Sequence, residues 1–201
     1  MTANTEGSGN ERPAWKPKRV EYRVDASDVI SHTGGDWAEV ATEGEAPWLR
    51  DGIGIHVVSS IEDDDLREIW RLILATARDR RALQMFRMRC DAPSLRRTIE
   101  VALVPGSDGS ITFTSLEVAV EPCDPVTLLG ARTPRSTAPP LAVCSWCARA
   151  RVGSDWLSLE ATVSELQLFE QETVPPLLHT ICTPCADGIL EKLREDIPPS
   201  P

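Results

Sequence analysis

The stretch IEDDDLREIWRLILATARDRR, residues 61–81, decides the fold. Leu66, Ile69, Trp70, Ile73 and Ala77 recur at the spacing that lines one face of a helix. Glu62 to Asp65 place negative charge at its start, and Arg78, Arg80 and Arg81 place positive charge at its end. Both suit the helix dipole. On either side the period changes to two. Upstream, in RVEYRVDASDVI (residues 19–30), Val20, Tyr22 and Val24 share a strand face. After the DASD turn, VISHTGGDW (residues 29–37) supplies a second short strand ending at Gly34-Gly35. Asp36 is placed to cap a short helix. The rest of residues 36–60, rich in Gly and Pro, reads as short helical turns and a loop.

Three strands are expected downstream. In LQMFRMRC (residues 83–90), Phe86, Met88 and Cys90 alternate with Arg87 and Arg89, so Cys90 points inward. In TIEVALV (residues 98–104), Ile99, Val101 and Leu103 share a face, and PGSDGS then turns the chain as a hairpin. In ITFTSLEVAVEP (residues 111–122) the apolar set shifts from Ile111 and Phe113 to Leu116, Val118 and Val120. That shift of parity predicts a bulge near Thr114 and Ser115. The order is therefore two strands, helices, then three strands. It predicts an α+β fold, a five-stranded antiparallel sheet with helices on one face. A helical crossover between the second and third strands can enclose a small cavity against that sheet.

A chain of 201 residues has room for one or two domains. The net charge of −10 repels a phosphate backbone, so nucleic acid is not an expected partner. The short basic runs KPKR and RDRR read as solvated surface. Nothing reads as a secretory signal or as a run of about 18 apolar residues, so neither export nor a membrane span is expected. The expected compartment is the cytoplasm, where thiols stay reduced. Five segments are expected: a disordered tail (residues 1–17), a sheet domain (18–124), a Pro-rich connection (125–140), a cysteine module (141–195) and a frayed tail (196–201).

The cysteine module carries the clearest chemistry. Of 6 cysteines, four form the pairs CSWC (Cys144, Cys147) and ICTPC (Cys182, Cys185). A Cys-x-x-Cys knuckle points both sulfurs at one place and turns backbone N–H groups toward them. Two knuckles complete the tetrahedral shell of a structural zinc ion. Four thiolates also suit iron. The shell then carries a formal charge of about −2, which N–H donors or cations such as Arg149 and Arg151 would offset. Residues 148–181 separate the knuckles. There SDWLSLEATVSELQLF, capped by Ser154 or Asp155, predicts a helix with Trp156, Leu157, Ala161, Val163 and Leu166 as its apolar surface. The second knuckle opens another helix: Pro184 fits a first turn and ADGILEKLRE continues it, with Gly188 weakening it slightly. A hairpin knuckle followed by a helix-start knuckle is the geometry of treble-clef zinc modules. His179, three residues before Cys182, is a neighbour of the shell, and a ligand only in place of a cysteine. Trp146 is expected to cover the first knuckle. Cys123 is expected to be a thiol at a strand end.

No motif for catalysis is present: no phosphate-cradling Gly-rich loop, no Gly-x-Ser-x-Gly, no His-x-Glu before a Pro-Cys-x-x-Cys. A shell filled by four cysteines leaves no position for a reactive water. His32 and His56 lie in the sheet domain, where a cavity haem would need one of them, although solvated histidine is the ordinary case. In RCDAPSLRR (residues 89–97), Asp91 is expected to pair with Arg96 or Arg97 around the Pro93 turn.

The strand-helix order resembles the PAS fold. YRVDASDVI, GGDW, FRMRCDAPSLRR and ITFTSLEV resemble a group of largely uncharacterised bacterial PAS-like proteins. CSWCARA, DWLSLE and HTICTPC resemble a short cysteine module that follows sensor or receiver domains in bacterial two-component proteins. Together these stretches span roughly residues 20–190. Thr180 stands where that module carries Gly, and Ala148 and Arg149 stand where it carries a Lys pair. GIHVVSSI departs from the Trp-containing segment of the PAS-like group, so no cavity ligand, haem included, is carried over. The resemblance implies a non-catalytic sensor or signalling protein. It would bind a small molecule or a protein partner, with a homodimer through segments flanking the sheet. The alternative is a thiol redox switch at the paired cysteines.

Overall fold

The computed structural model describes residues 16–43, 51–130 and 133–195. The expected tails lie outside these residues, apart from Lys16 and Pro17. The first half of the chain runs β1 (Arg19–Val24), β2 (Ile30–Gly35), α1 (Trp37–Glu43), α2 (Asp64–Arg80), β3 (Gln84–Arg89), β4 (Leu95–Pro105) and β5 (Ile111–Pro122). The second half runs β6 (Leu141–Cys144), β7 (Ala150–Val152), β8 (Asp155–Leu157), α3 (Leu159–Glu165), β9 (Leu177–Thr180) and α4 (Thr183–Glu195).

The first five strands form one antiparallel sheet in the order β2-β1-β5-β4-β3. Helix α2 begins where its sequence says it should. The Asp63 carboxylate caps it by accepting the Leu66 N–H at 2.8 Å. Arg81 ends it in the left-handed conformation, φ 50°, with Arg78 and Arg80 in the last turn. Leu66, Ile69, Ile73, Leu74 and Ala77 are buried against Val24, Phe86, Val101, Leu103, Ile111 and Phe113 of the sheet. Each fully buried Leu, Ile or Phe contributes about 1.5–3 kcal/mol, so this one interface dominates the domain. Asp36 precedes α1, and its carboxylate accepts the Arg19 N–H at 2.8 Å, tying α1 to the start of β1.

The bulge lies further along β5 than the apolar pattern predicts. Thr98 pairs with Ala119 and Ile99 with Glu117, so Val118 is the extra residue. Leu116 does not follow a change of face. It lies on the outer face and is 38% exposed, while Glu117 turns inward to Arg97 at 3.5 Å. Cys90 also departs from its predicted place: β3 ends at Arg89 and Cys90 is exposed. Asp91 pairs with Arg89, at 2.5 Å, rather than with the side chain of Arg96 or Arg97. It also accepts the Arg97 N–H at 3.0 Å. Arg96 instead reaches Glu160 of α3, at 2.6 Å.

A second sheet, β8-β7-β6-β9, carries the cysteines, and its β6–β9 pair is parallel. The helix expected from Ser154 begins four residues later. Asp155–Leu157 is a strand paired with Ala150–Val152 across a two-residue Gly153-Ser154 turn. Gly153 has φ 60°, as the first position of such a tight hairpin turn requires. Ser158 is the true cap of α3, accepting the Ala161 N–H at 3.2 Å. Val126 and Leu128 pack with Leu141, Val143, Ala150, Leu159, Leu168 and Val174 in a smaller core. Cys144, Ile181, Cys182, Ile189 and Leu193 belong to the main core, so the cysteine module is packed onto the sheet domain. No helix among the described residues is long and apolar enough to cross a membrane.

Candidate metal centre

Each half of the centre comes from a local structure that aims two sulfurs at one point. Cys144 ends β6, and the chain reverses through Ser145 to Arg149 into β7. Ala148 takes the left-handed conformation, φ 55°, and its N–H bonds the Cys144 carbonyl at 2.9 Å, closing the first knuckle. The second knuckle starts α4. Cys182 lies just before the helix, Cys185 is in its first turn, and the Cys185 and Ala186 N–H groups both bond the Cys182 carbonyl at 3.0 Å. The parallel β6–β9 ladder brings the halves together, with Cys144 opposite Thr180. The ladder continues as the Ser145 N–H bonds the Thr180 carbonyl at 2.9 Å.

The four sulfurs of Cys144, Cys147, Cys182 and Cys185 all lie within 4.8 Å of one another, a set able to hold a metal ion. Cys147 Sγ and Cys182 Sγ are 3.8 Å apart, and all four cysteines are free of disulfides. A tetrahedron with metal–sulfur bonds of about 2.3 Å has edges of about 3.8 Å. The donor set and spacing therefore fit a four-thiolate shell.

The electrostatics fit as well. Burial raises the Cys144 thiol, but N–H groups of Cys182, Cys147 and Trp146 aimed at its sulfur outweigh this and hold its pKa below the ordinary value. The Cys182 N–H is 3.4 Å from that sulfur. Burial pushes the Cys147 thiol up to about 11 against the opposing Arg149 N–H, and the neighbouring sulfurs add to the rise. Burial, with a hydrogen bond that the Cys185 thiol donates to Cys182 and the charge of the neighbouring sulfurs, also pushes Cys185 upward. Four sulfurs this close do not share negative charge without a cation among them. Arg149, predicted to act through its side-chain charge, acts here through its backbone N–H.

His179 is not among the clustered ligands. It sits on β9 at the mouth of a cleft of ≈ 360 Å³, with Ser60, Glu62, Leu66, Ser145 and Leu177 around it. His179 is exposed as a whole, and partial burial of its imidazole against the cleft lowers its pKa, with Glu62 acting in the opposite sense. Trp146 does more than cover the knuckle. Its ring packs edge-on to Phe86 at 5.4 Å and tilted to Trp70 at 5.8 Å, and its carbonyl accepts the Arg89 N–H at 2.9 Å. The knuckle is thereby pinned to both α2 and β3. An aromatic residue at an otherwise exposed position between two cysteines was the available signal for this.

Beneath α2 lies an apolar cavity of ≈ 230 Å³ lined by Tyr22, Val57, Val58, Ile61, Trp70, Leu74 and Phe113. Tyr22 stacks on Phe113, with centroids 4.5 Å apart and planes 9° from parallel. Ile61 and Trp70 line both this cavity and the His179 cleft. Neither His32 nor His56 is among the described residues lining it. His56 Nδ1 accepts the Ser59 N–H at 3.2 Å, and His32 is exposed on β2. The cavity therefore offers no imidazole to a haem iron, and its volume falls below the usual range of about 300–1,000 Å³ for drug-sized ligands. Comparison of the chain with family models, curated proteins and solved structures gives no match.

Proposed function

We propose that this chain is a non-catalytic sensor or interaction protein, a PAS-like domain joined to a treble-clef-like module built on structural zinc. The four clustered sulfurs carry this reading. Cysteine ligands in a four-fold shell suit Zn²⁺, and a shell filled by protein leaves no position for a reacting water. The N–H groups directed at Cys144 and Cys147 are what a dianionic zinc–thiolate centre needs. A hairpin knuckle followed by a helix-start knuckle supports the treble-clef description. The β2-β1-β5-β4-β3 sheet, the helical crossover and the apolar cavity beneath it support the PAS-like one. With the cysteine module packed on the sheet domain, a signal from the cavity would leave this chain through contact with a protein partner.

Native mass spectrometry of the full chain tests the proposal. One zinc per chain, lost in Cys182→Ser, is the expected result. A reduced, metal-free chain that keeps its fold would sink the structural-zinc assignment. Thiol titration with and without peroxide separates structural zinc from a redox switch. Zinc retained at moderate oxidant supports the structural site, and zinc released with disulfide formation supports the switch.

A further inference from the structure

The free edge of the main sheet carries a second surface. Among the described residues β3 is an edge strand, paired with β4 alone. In an antiparallel ladder, alternate residues turn their N–H and C=O groups toward the partner. The Cys90 N–H reaches the Arg97 carbonyl on β4, and the Arg89 N–H turns the other way to the Trp146 carbonyl. Counting back from these, Met88, Phe86 and Gln84 face β4, while Met85 and Arg87 present their main chain outward. Trp146 occupies only the far end of that edge.

Beside Met85 and Arg87 runs a groove of ≈ 260 Å³ between β3 and α4. Phe86, Trp146 and Ile189 give it an apolar lining. Gly188 opens its α4 wall. A Cβ at Gly188 would meet nothing within 4 Å, so no contact inside the chain calls for glycine there. Glycine nonetheless costs a helix interior about 1 kcal/mol relative to alanine. The charged residues lining the groove are Arg87 and Lys192, both cationic in a chain of net charge −10. Lys192 lies 5.6 Å from the centre of the Phe86 ring, and Arg87 makes only an exposed pair with Glu100.

We infer that this groove receives an extended acidic peptide as an added strand on β3. Its main chain pairs with Met85 and Arg87. Side chains on its α4 side lie along Trp146 and the rims of Phe86 and Ile189, with one carboxylate at Lys192, and those on its other side carry carboxylates to Arg87. Pairing of main chain supplies affinity and the two cations supply selectivity. Trp146 and Cys185 both line the groove, so the metal that joins the knuckles also sets its walls. In this respect the inference rests on the zinc assignment above.

The test is selection of a phage-displayed random heptapeptide library on the full chain, with zinc content measured by native mass spectrometry on the same sample. Enriched peptides should alternate Asp or Glu with β-branched or aromatic residues. The selected peptide should slow amide exchange at Met85 and Arg87 by about tenfold or more. Gly188→Gln, whose Cβ meets nothing within 4 Å and whose longer side chain extends from the groove wall, and Lys192→Glu should each weaken binding by about fivefold or more. No enrichment, a basic consensus, or binding indifferent to both variants overturns the inference. So does a dimer that Gly188→Gln dissolves and no peptide displaces, because the edge then belongs to a second copy of the chain. Peptide binding by a zinc-free chain sinks the zinc assignment and leaves the groove standing. Zinc without peptide enrichment does the reverse.

Discussion

Zinc should set the stability of this chain in a graded way. Cys147 Sγ and Cys182 Sγ lie 3.8 Å apart. Dividing by the edge ratio of a tetrahedron gives a metal–sulfur distance of about 2.3 Å, that of zinc thiolate. X-ray absorption of the loaded protein should therefore show four sulfur neighbours at that distance and no nitrogen, since His179 lies outside the cluster. An ion that binds only the folded state adds about 1.4 kcal/mol for each tenfold rise in its free concentration above Kd. For a chain of this size that corresponds to roughly 3–6 °C in Tm per decade of free zinc. Cys182→Ser should flatten this dependence and lower Tm, because Cys182 is buried beside Cys144 and serine is a poor substitute ligand. The assay is thermal unfolding in zinc buffers spanning several decades, under reductant. A wild-type Tm that does not move with zinc, or a shell of three sulfurs and one nitrogen, would refute the reasoning.

Three further predictions concern the elements that hold the site. Asp63→Ala removes the cap of α2 and should cost about 1 kcal/mol, read as a lower urea midpoint with unchanged slope. Gly188→Ala should add about 0.8–1 kcal/mol, because a Cβ there finds open space. A drop in Tm would mean that the groove wall has been misread. Burial pushes the Glu160 carboxyl up, but its own N–H and the Arg96 guanidinium outweigh this and hold its pKa below the ordinary value. A depressed folded pKa stabilises above the unfolded value of about 4.3, and that stability is lost as pH falls through the folded value. Glu160→Gln should therefore lower stability by a constant amount well above about pH 4.3 and flatten the acid limb below it, so that the two curves converge as pH falls through the folded value. An acid limb identical to wild type would show the Arg96 pair to be inert.

Much of the sheet domain was legible because its signals are local. The apolar spacing of α2, the period-two runs of β1, β3, β4 and β5, and the PGSDGS hairpin each sit inside one short window. The apolar pattern alone puts the bulge too early, because Leu116 is an apolar residue left on the outer face. Sequence distance around the Pro93 turn does not show which guanidinium turns back to Asp91, and the partner is Arg89, with Arg97 contributing its N–H. Ser154 and Asp155 are good caps and point to helix over residues 155–157, which the chain instead uses as a strand. The competing Gly153-Ser154 hairpin signal was present and outweighed them. At the metal centre the ligand residues were legible from the two Cys-x-x-Cys pairs. The β6–β9 pairing and the docking of Trp146 against Phe86 and Trp70 were not, because both depend on contacts between distant segments.

With the proposed ion bound, the parallel pairing of β6 with β9 would make the cluster a proofreader of register. These strands meet only after a hairpin and α3 have been threaded between them, a non-local closure that is slow to find. A slip of one residue turns every side chain to the opposite face. Cys144 would then lie opposite Ile181 or His179 instead of Thr180, and the Cys182–Cys185 pair would be displaced from the first knuckle. Such a misaligned chain could keep much of its backbone bonding, yet would present two sulfurs where four are needed. Capture of the ion thus rewards one alignment among neighbours that the ladder alone barely distinguishes.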